Sequence, residues 1–164
     1  MSGKKNVRLP HYQVTAGLIW SNGKILITQR PFNDNFGGLW EFPGGKQKPG
    51  ETLEQCLVRE IFEELNIQIQ IDKKFLSITY KYDHFQITLH VFICTLENGI
   101  PECREVQDWK WIDLPEIDHY DFTEADQKVI QKISESNHNC DYSTFHHSCN
   151  SSIIQKYGYK TEMD

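Results

Sequence analysis

Alternating apolar and polar positions predict a chain that forms mostly strands. Residues 11–20 and 24–30 flank a Ser-Asn-Gly sequence, which is a turn signal of a β-hairpin. Aromatic and β-branched residues predict a second hairpin that turns near Asp83 and His84. The Pro-Gly-Gly sequence at 43–45 is predicted to end a short extended segment. The predicted strands are residues 11–20, 24–30, 39–42, 67–71, 75–82, 85–95 and 106–114.

Two segments have the apolar spacing of amphipathic helices. The first ends at Leu65 and is predicted to bury one face. Its predicted core-facing residues are Leu57, Val58, Ile61, Phe62 and Leu65. The second spans residues 124–133, with Thr123 as its N-cap. These elements predict an α+β fold, an α/β/α sandwich with a mixed central sheet and two main helices.

Length and composition suggest one domain with a polar extension at each end. The chain has 164 residues, enough for a sizeable core. We expect residues 1–10 to be a flexible N-terminus, residues 11–133 the folded domain, and residues 134–164 a polar C-terminal tail. The composition of the tail shifts to serine, asparagine, histidine and cysteine, so it could be disordered or contain a short docking helix at 152–160.

Net charge and cysteine usage limit the partners and the compartment. The formal net charge is −6, so we expect no stable nucleic-acid binding. Five scattered cysteines favour a reducing, cytoplasmic setting over a disulfide framework. No signal peptide and no apolar run of membrane-spanning length are apparent, so we expect no membrane partner. The composition leaves a monomer and a homodimer equally open.

Cysteine and histidine residues in the tail are candidate zinc ligands. Their spacing fits no standard zinc finger or knuckle, and polar tails often carry such residues by accident. These candidates are His138, Cys140, His146, His147 and Cys149.

The first helix carries an acidic face that needs an explanation. Glu60, Glu63 and Glu64 stand at positions i, i+3 and i+4, and like charges at this spacing destabilise a helix. A solvated acidic face is one interpretation. The other is a divalent cation, because Mg²⁺ is usually held by a few carboxylates together with substrate phosphates.

The residues around this face resemble the Nudix box. Gly45 is followed after five residues by Glu51, and after seven more by the sequence REIFEELNI. The box usually has glycine where Asn66 stands, and asparagine is the next best residue for a left-handed position after a helix. The sequences LWEFPGGK, ITLHVF and FTEADQKVI are similar to the MutT-like branch, so the resemblance spans residues 14–133.

The resemblance implies a Nudix-type sandwich and a metal site on the first helix. It implies Mg²⁺, or Mn²⁺, as the cofactor. The implied metal ligands are Glu60, Glu64, Glu63 and the Gly44 carbonyl group. Arg59 would orient these glutamates through charge-assisted pairs, together with Glu51. Glu105 is a candidate general base, and Glu64 is the competing candidate.

The resemblance also implies a nucleotide pocket. The implied substrate-binding residues are Arg30, Glu41, Phe42, Pro43, Gly44, Tyr82 and Asp126. Phe42 and Tyr82 could equally be core residues, and Arg30 could be a surface residue at a strand end. An ionised Asp126 only accepts hydrogen bonds, so it would bind an amino or N–H edge of a base.

The reaction implied is hydrolysis of a nucleoside triphosphate to a nucleoside monophosphate and pyrophosphate. The MutT-like branch sanitises oxidised purine nucleotides such as 8-oxo-dGTP. Because of Asp126, CTP or dCTP is a competing substrate, and another nucleoside diphosphate derivative is a further alternative. LWEFPGGK is also similar to the lesion-reading domain of adenine glycosylases, but the complete set of box glutamates disfavours a non-enzymatic module.

Overall fold

The structure, a computed structural model, describes residues 8–138, which form seven strands and three helices. The strands are β1 (His11–Ser21), β2 (Lys24–Gln29), β3 (Trp40–Glu41), β4 (Gly44–Lys46), β5 (Gln68–Lys81), β6 (Gln86–Asn98) and β7 (Asp108–Ile112). The α-helices are α1 (Leu53–Leu65) and α2 (Glu124–His138), and Leu114–His119 is a short 3₁₀-helix. Within the described residues, no helix is long and apolar enough to cross a membrane.

All seven strands join one mixed sheet. Its main order is β3-β2-β1-β6-β5, with β4 paired to β1 and β7 paired to β2. β1 and β6 run parallel over ten paired residues, and the other pairs are antiparallel. The α+β prediction is confirmed.

The two faces of the sheet are each covered by one α-helix. Alternate residues of a strand point to opposite faces, so Leu18 belongs to one core cluster and Ile19 to the other. Val129 and Ile133 of α2 pack in the Leu18 cluster, whereas α1 packs in the Ile19 cluster. The α/β/α sandwich is therefore confirmed, with one α-helix on each face of the sheet.

Helix α1 ends at Leu65 as predicted but buries a narrower face than expected. Thr52 caps its first turn, and Asn66 ends it with a left-handed φ of 56°, as the asparagine at this position predicts. Val58 and Phe62 are 44% and 47% exposed, so their prediction as core residues is wrong. Each lies about 100° around the helix from its buried neighbour, outside the arc that meets the sheet.

Two strand predictions also need correction. Residues 67–71 and 75–82 were expected as separate strands, but β5 is one strand of 14 residues. Register shifts between Ile71 and Lys73, and between Lys74 and Leu76, interrupt the alternation that the prediction relied on. β4 follows Pro43 where the chain was expected to stop pairing. Glycine fits in this strand because β1 lies too close to Gly44 to leave room for a side chain there.

Helix α2 begins as predicted and ends later. The backbone N–H of Asp126 donates to the Thr123 hydroxyl at 3.4 Å, in agreement with Thr123 as the cap. The helix runs five residues beyond 133, to His138. The candidate zinc ligands lie outside the described residues apart from the backbone of His138, and so does the predicted docking helix at 152–160.

Candidate active site

Gly44 and Gly45 of β4 allow the sheet and helix α1 to lie close together. A Cβ atom on Gly44 would overlap the carbonyl oxygen of Thr15 in the neighbouring strand. A Cβ atom on Gly45 would overlap the carboxylate of Glu60. A side chain at either position therefore requires its neighbour to move, and the Glu60 carboxylate lies directly against the backbone of β4.

A single guanidinium group organises the acidic face of α1. Arg59 makes two hydrogen bonds to Glu51, at 2.6 and 2.9 Å. It also donates to Glu60 at 2.8 Å and to Glu63 at 2.9 Å. The hydrogen bonds from Arg59 lower the pKa of Glu51 to about 2. Arg59 thus relieves the repulsion within the acidic face and holds the glutamates in place.

Glu64 lies deeper and nearer to other carboxylates. Burial raises the pKa of Glu64 well above its ordinary value, and the charges of Glu41, Glu60 and Glu105 raise it further. Glu105 is close because its backbone N–H approaches the Glu64 carbonyl oxygen at 3.4 Å. Glu64 therefore faces a concentration of negative charge that a bound cation would relieve.

Glu60 and Glu64 of α1 meet Gly44 and Gly45 of β4 at what we call the acidic edge. The donor set at this edge fits a divalent cation that is shared with a substrate. Glu60 and Glu64 lie one turn apart on α1, and both they and Gly44 line the same cavity. Among residues 8–138, no three Asp, Glu, His or Cys side chains are already gathered as a complete metal site. Mg²⁺ is usually held by one or two carboxylates, with waters and phosphate oxygens as its further ligands.

A cavity of about 450 Å³ opens beside the acidic edge. Nine of the predicted site residues line it: Arg30, Glu41, Phe42, Gly44, Tyr82, Glu60, Glu64, Glu105 and Asp126. Pro43, Arg59 and Glu63 are absent from this lining. The Pro43 carbonyl oxygen instead accepts a hydrogen bond from Gly17 at 2.9 Å. The structure therefore brings together predicted metal ligands and predicted base-contacting residues around one space.

Arg30 is fixed by its own loop and by strand β3. It donates to Glu41 at 2.8 Å, to Asp34 at 2.5 Å and to the Asn35 carbonyl oxygen at 2.7 Å. Burial raises the pKa of Glu41 to about 7, although the charge of Arg30 opposes this effect. Arg30 is thus held by three acceptors at the cavity wall, and it is not a free surface residue.

Asp126 is 5% exposed and lines the cavity. One of its oxygens accepts from the backbone N–H of Phe42 at 3.2 Å, and the other from the Thr123 hydroxyl at 2.5 Å. Burial raises the pKa of Asp126 to about 6, while these hydrogen bonds oppose the rise. The carboxyl group therefore ties α2 to the segment after β3.

An aromatic wall encloses the cavity on a third side. Tyr82 contacts Phe36 and Phe85, with ring centroids 5.1 and 4.8 Å apart. Phe42 is 3% exposed and packs against Phe122, so it is a core residue whose edge reaches the cavity. Tyr82 likewise belongs to the wall and the core together.

Phe36 and Lys46 are two of the lining residues that sequence reasoning missed. Phe36 lies in the loop before β3 with a φ of 59°, a left-handed value that nothing in its residue type announces. Lys46 stands at the end of β4, with its Nζ atom 4.3 Å from the centroid of the Tyr12 ring. The Lys46 position directly after the paired glycines was the available signal, because it puts a cation beside the acidic edge.

The comparisons with known proteins agree with this geometry. A family model described as NUDIX domain matches residues 15–132. The Escherichia coli 8-oxo-dGTP diphosphatase is 35% identical over 122 residues, covering 74% of this chain and 95% of that protein. The Escherichia coli CTP pyrophosphohydrolase is 34% identical over 119 residues, covering 73% of this chain and 88% of that protein.

Solved structures show the same fold. The solution structure of the Escherichia coli ORF135 protein has a TM-score of 0.68 and 30% identity, covering 82% of this chain and 96% of that one. A MutT protein from Methanosarcina mazei has a TM-score of 0.70 at 21% identity, covering 83% of this chain and all of that one. The second likeness concerns the fold alone.

Proposed function

Because the chain belongs to the Nudix family of hydrolases, which act on phosphoric anhydride bonds, we propose that it is a nucleoside triphosphate pyrophosphohydrolase. The proposed reaction converts a nucleoside triphosphate and water into a nucleoside monophosphate and pyrophosphate. The preferred substrates are oxidised purine nucleotides such as 8-oxo-dGTP. One observation carries the proposal: the acidic edge of α1 opens directly into a cavity large enough for a nucleotide base.

The acidic edge supplies the groups that hydrolysis needs. Nudix hydrolases generally use divalent metals, and we propose Mg²⁺ or Mn²⁺ held by Glu60, Glu64, Glu63 and the Gly44 carbonyl group. When bound, the ion neutralises phosphate charge and lowers the pKa of a water molecule. Arg59 keeps Glu60 and Glu63 in position through hydrogen bonds of 2.8 and 2.9 Å.

Two carboxylates can accept the proton of the attacking water. Glu64 lies inside the acidic edge, and Glu105 is an exposed residue at the cavity mouth. Either is a suitable general base, because both lie beside the proposed metal ligands. Glu105→Gln distinguishes them, because Glu64 is also a proposed metal ligand: this variant loses about 10²–10⁴-fold in kcat if Glu105 is the base, and less if Glu64 is the base.

The base end of the cavity supports a substrate with an N–H edge. Asp126 keeps further acceptor capacity beyond its two hydrogen bonds, because an ionised carboxylate has about four acceptor sites. Guanine presents an acceptor at N7, whereas 8-oxoguanine carries an N–H group there. An acceptor at this position therefore favours the oxidised base.

Cytosine nucleotides are the second candidate. Cytosine presents an N4 amino donor, which Asp126 could also bind, whereas uracil presents an acceptor at the same place. The similarity to the CTP pyrophosphohydrolase makes this alternative concrete. Hydrolysis of CTP or dCTP in preference to 8-oxo-dGTP, with UTP rejected, would establish it.

The test is a substrate panel with Mg²⁺ and, separately, Mn²⁺. The panel holds 8-oxo-dGTP, dGTP, dCTP, CTP and UTP, with a nucleotide sugar and a dinucleoside polyphosphate added, and pyrophosphate and monophosphate release are measured. We expect 8-oxo-dGTP to be hydrolysed faster than dGTP, and Glu64→Gln to remove the activity. No product from any substrate, with Glu64→Gln indistinguishable from the wild type, would contradict the proposal.

A further inference from the structure

Behind the glycine segment lies a small buried polar cluster that the proposed reaction does not use. It consists of the Thr15 hydroxyl on β1, the Cys56 thiol on α1 and the Gly45 carbonyl group on β4. Thr15 Oγ1 lies 3.3 Å from Cys56 Sγ and 3.4 Å from Gly45 O, and Cys56 Sγ lies 3.6 Å from Gly45 O. Thr15 and Cys56 are both fully buried, so no water competes for these contacts.

The number of available protons limits how the hydrogen bonds of this cluster can be arranged. The hydroxyl and the thiol each bring one proton, and three contacts connect three atoms. Either the hydroxyl donates to Gly45 O and the thiol to Thr15, or the thiol donates to Gly45 O and the hydroxyl to the sulfur. In both arrangements the Gly45 carbonyl oxygen accepts one bond, and the Thr15 and Cys56 side chains are bonded to each other. Burial raises the pKa of the Cys56 thiol, which keeps its proton available.

The same thiol reaches the second support of the acidic face. Arg59 Nη2 lies 3.8 Å from Cys56 Sγ, and the same Arg59 group donates to Lys46 O at 3.1 Å. The cluster therefore touches the backbone on which the Glu60 carboxylate rests and the guanidinium group that binds this carboxylate. A change in either contact would therefore shift a group that holds the Glu60 carboxylate in place.

We propose that Thr15 and Cys56 are positioning residues, which hold Gly45 and Arg59 so that Glu60 is aimed at the metal. This proposal rests on the proposed function, because it assigns these residues to the same metal site. Thr15 is part of the cavity lining, whereas Cys56 is not. Their effect passes through the Gly45 carbonyl group and the Arg59 guanidinium group.

The test uses four variants and a matched control. Cys56→Ala and Thr15→Val remove the two polar groups with little change in shape. Cys56→Ser and Thr15→Ser keep a donor. Cys94→Ala is the control, because Cys94 is as fully buried as Cys56 but its thiol donates to Phe92 O at 3.7 Å and not to the glycine segment.

Three quantities are measured for each variant. The first is the Kd of Mn²⁺ without nucleotide, from electron paramagnetic resonance of the free ion. The second is kcat and KM for the substrate that the wild type hydrolyses best, and the third is Tm. We expect Cys56→Ala and Thr15→Val to weaken Mn²⁺ binding and to lower kcat by about tenfold with KM unchanged. The serine variants recover most of both losses, and Cys94→Ala changes Tm alone.

The readouts separate this proposal from the proposed function. Wild-type Mn²⁺ affinity in Cys56→Ala and Thr15→Val, or equal losses in the alanine and serine variants of Cys56, would overturn the positioning role. An equal loss of Mn²⁺ affinity in Cys94→Ala would overturn it as well. A wild type that hydrolyses no substrate, but binds Mn²⁺ more tightly than Cys56→Ala, refutes the proposed reaction and leaves the positioning role supported.

Discussion

At the scale of single residues, the role of Arg59 depends on the shape of its guanidinium group as well as on its charge. Its guanidinium group serves Glu51, Glu60 and Glu63 at once, with contacts between 2.6 and 2.9 Å. A lysine supplies the same charge from one point and cannot reproduce a planar fork with five N–H donors. The position therefore requires arginine for its shape.

We predict that Arg59→Lys lowers kcat by about tenfold or more while the chain stays folded, because the glutamates lose their common anchor. Steady-state kinetics and thermal unfolding measure the two effects. Arg104→Lys is the control, since Arg104 is an exposed arginine whose Nε atom lies 3.4 Å from Glu102. An Arg59→Lys variant as active as Arg104→Lys would contradict this role.

Asp126 is a residue whose burial should be visible in the stability of the fold. Its pKa is about 6, above the ordinary value of 3.8, and burial is the largest cause. A carboxyl group with a raised pKa binds protons more tightly in the folded chain. Its contribution to the free energy of unfolding is therefore highest below pH 4 and is lost as the pH rises from about 4 to 6.

We predict that Asp126→Asn flattens the pH dependence of stability over this window. The wild type should lose up to about 3 kcal/mol between pH 4 and 6 that the variant keeps, since one pKa unit corresponds to about 1.4 kcal/mol. Urea unfolding at half-unit pH steps measures the slope. Glu41, with a pKa raised to about 7, contributes in the same direction in both proteins. Equal slopes in the two proteins would contradict the prediction.

At the scale of elements, the pairing of β4 with β1 sets the distance between sheet and helix. Gly44 and Gly45 are adjacent, but their missing side chains make room for different things. Gly44 accommodates the rigid backbone of β1, and Gly45 accommodates the movable end of a glutamate side chain. Substitution at the two positions should therefore have different consequences.

We predict that Gly44→Ala destabilises the fold by several kcal/mol, because β4 must separate from Thr15. Gly45→Ala should fold but lose most activity and Mn²⁺ affinity, because the carboxylate of Glu60 must move. Circular dichroism melting and kinetics distinguish the two. Gly50→Ala is the control, because its added Cβ meets nothing within 4 Å. The strain of a side chain at a φ of 87° should lower the free energy of unfolding by only about 1 kcal/mol. Equal behaviour of Gly44→Ala and Gly45→Ala would contradict the distinction.

The elements also show what the sequence could and could not predict. The acidic face and the left-handed end of helix α1 were predictable because both are local features of one segment. Val58 and Phe62 were not, because only the position of the sheet decides how wide the buried arc is. The continuity of β5 was not predictable either, because register shifts against β6 interrupt the alternation of its residues.

At the scale of the molecule, the candidate site divides in the same way. The acidic edge lies within one helix and the glycines before it, so residue spacing was enough to identify it. The cavity lining is assembled from seven separate segments of the chain, and Phe36 entered it without a signal of its own. Chemistry that depends on one helix can be inferred from spacing, whereas a pocket formed by distant strands requires the fold.

The proposed extent of the catalytic domain can be tested on the whole chain. In the part of the chain that the structure describes, both core clusters and the cavity lining lie between Tyr12 and Ile133. We therefore predict that a chain ending at residue 138 keeps kcat within about twofold and a free energy of unfolding within about 1 kcal/mol of the full chain. Urea unfolding and the substrate panel measure both quantities.

A second truncation gives this prediction a contrast. A chain ending at residue 128 lacks Val129 and Ile133, which are 0% and 2% exposed in the core under α2. Removing two such side chains costs several kcal/mol, so this shorter chain should not fold stably. If the chain ending at 138 also fails to fold or loses its activity, residues 139–164 belong to the catalytic domain, and the proposed boundary is wrong. If both truncated chains are active, α2 contributes less to the core than its burial indicates.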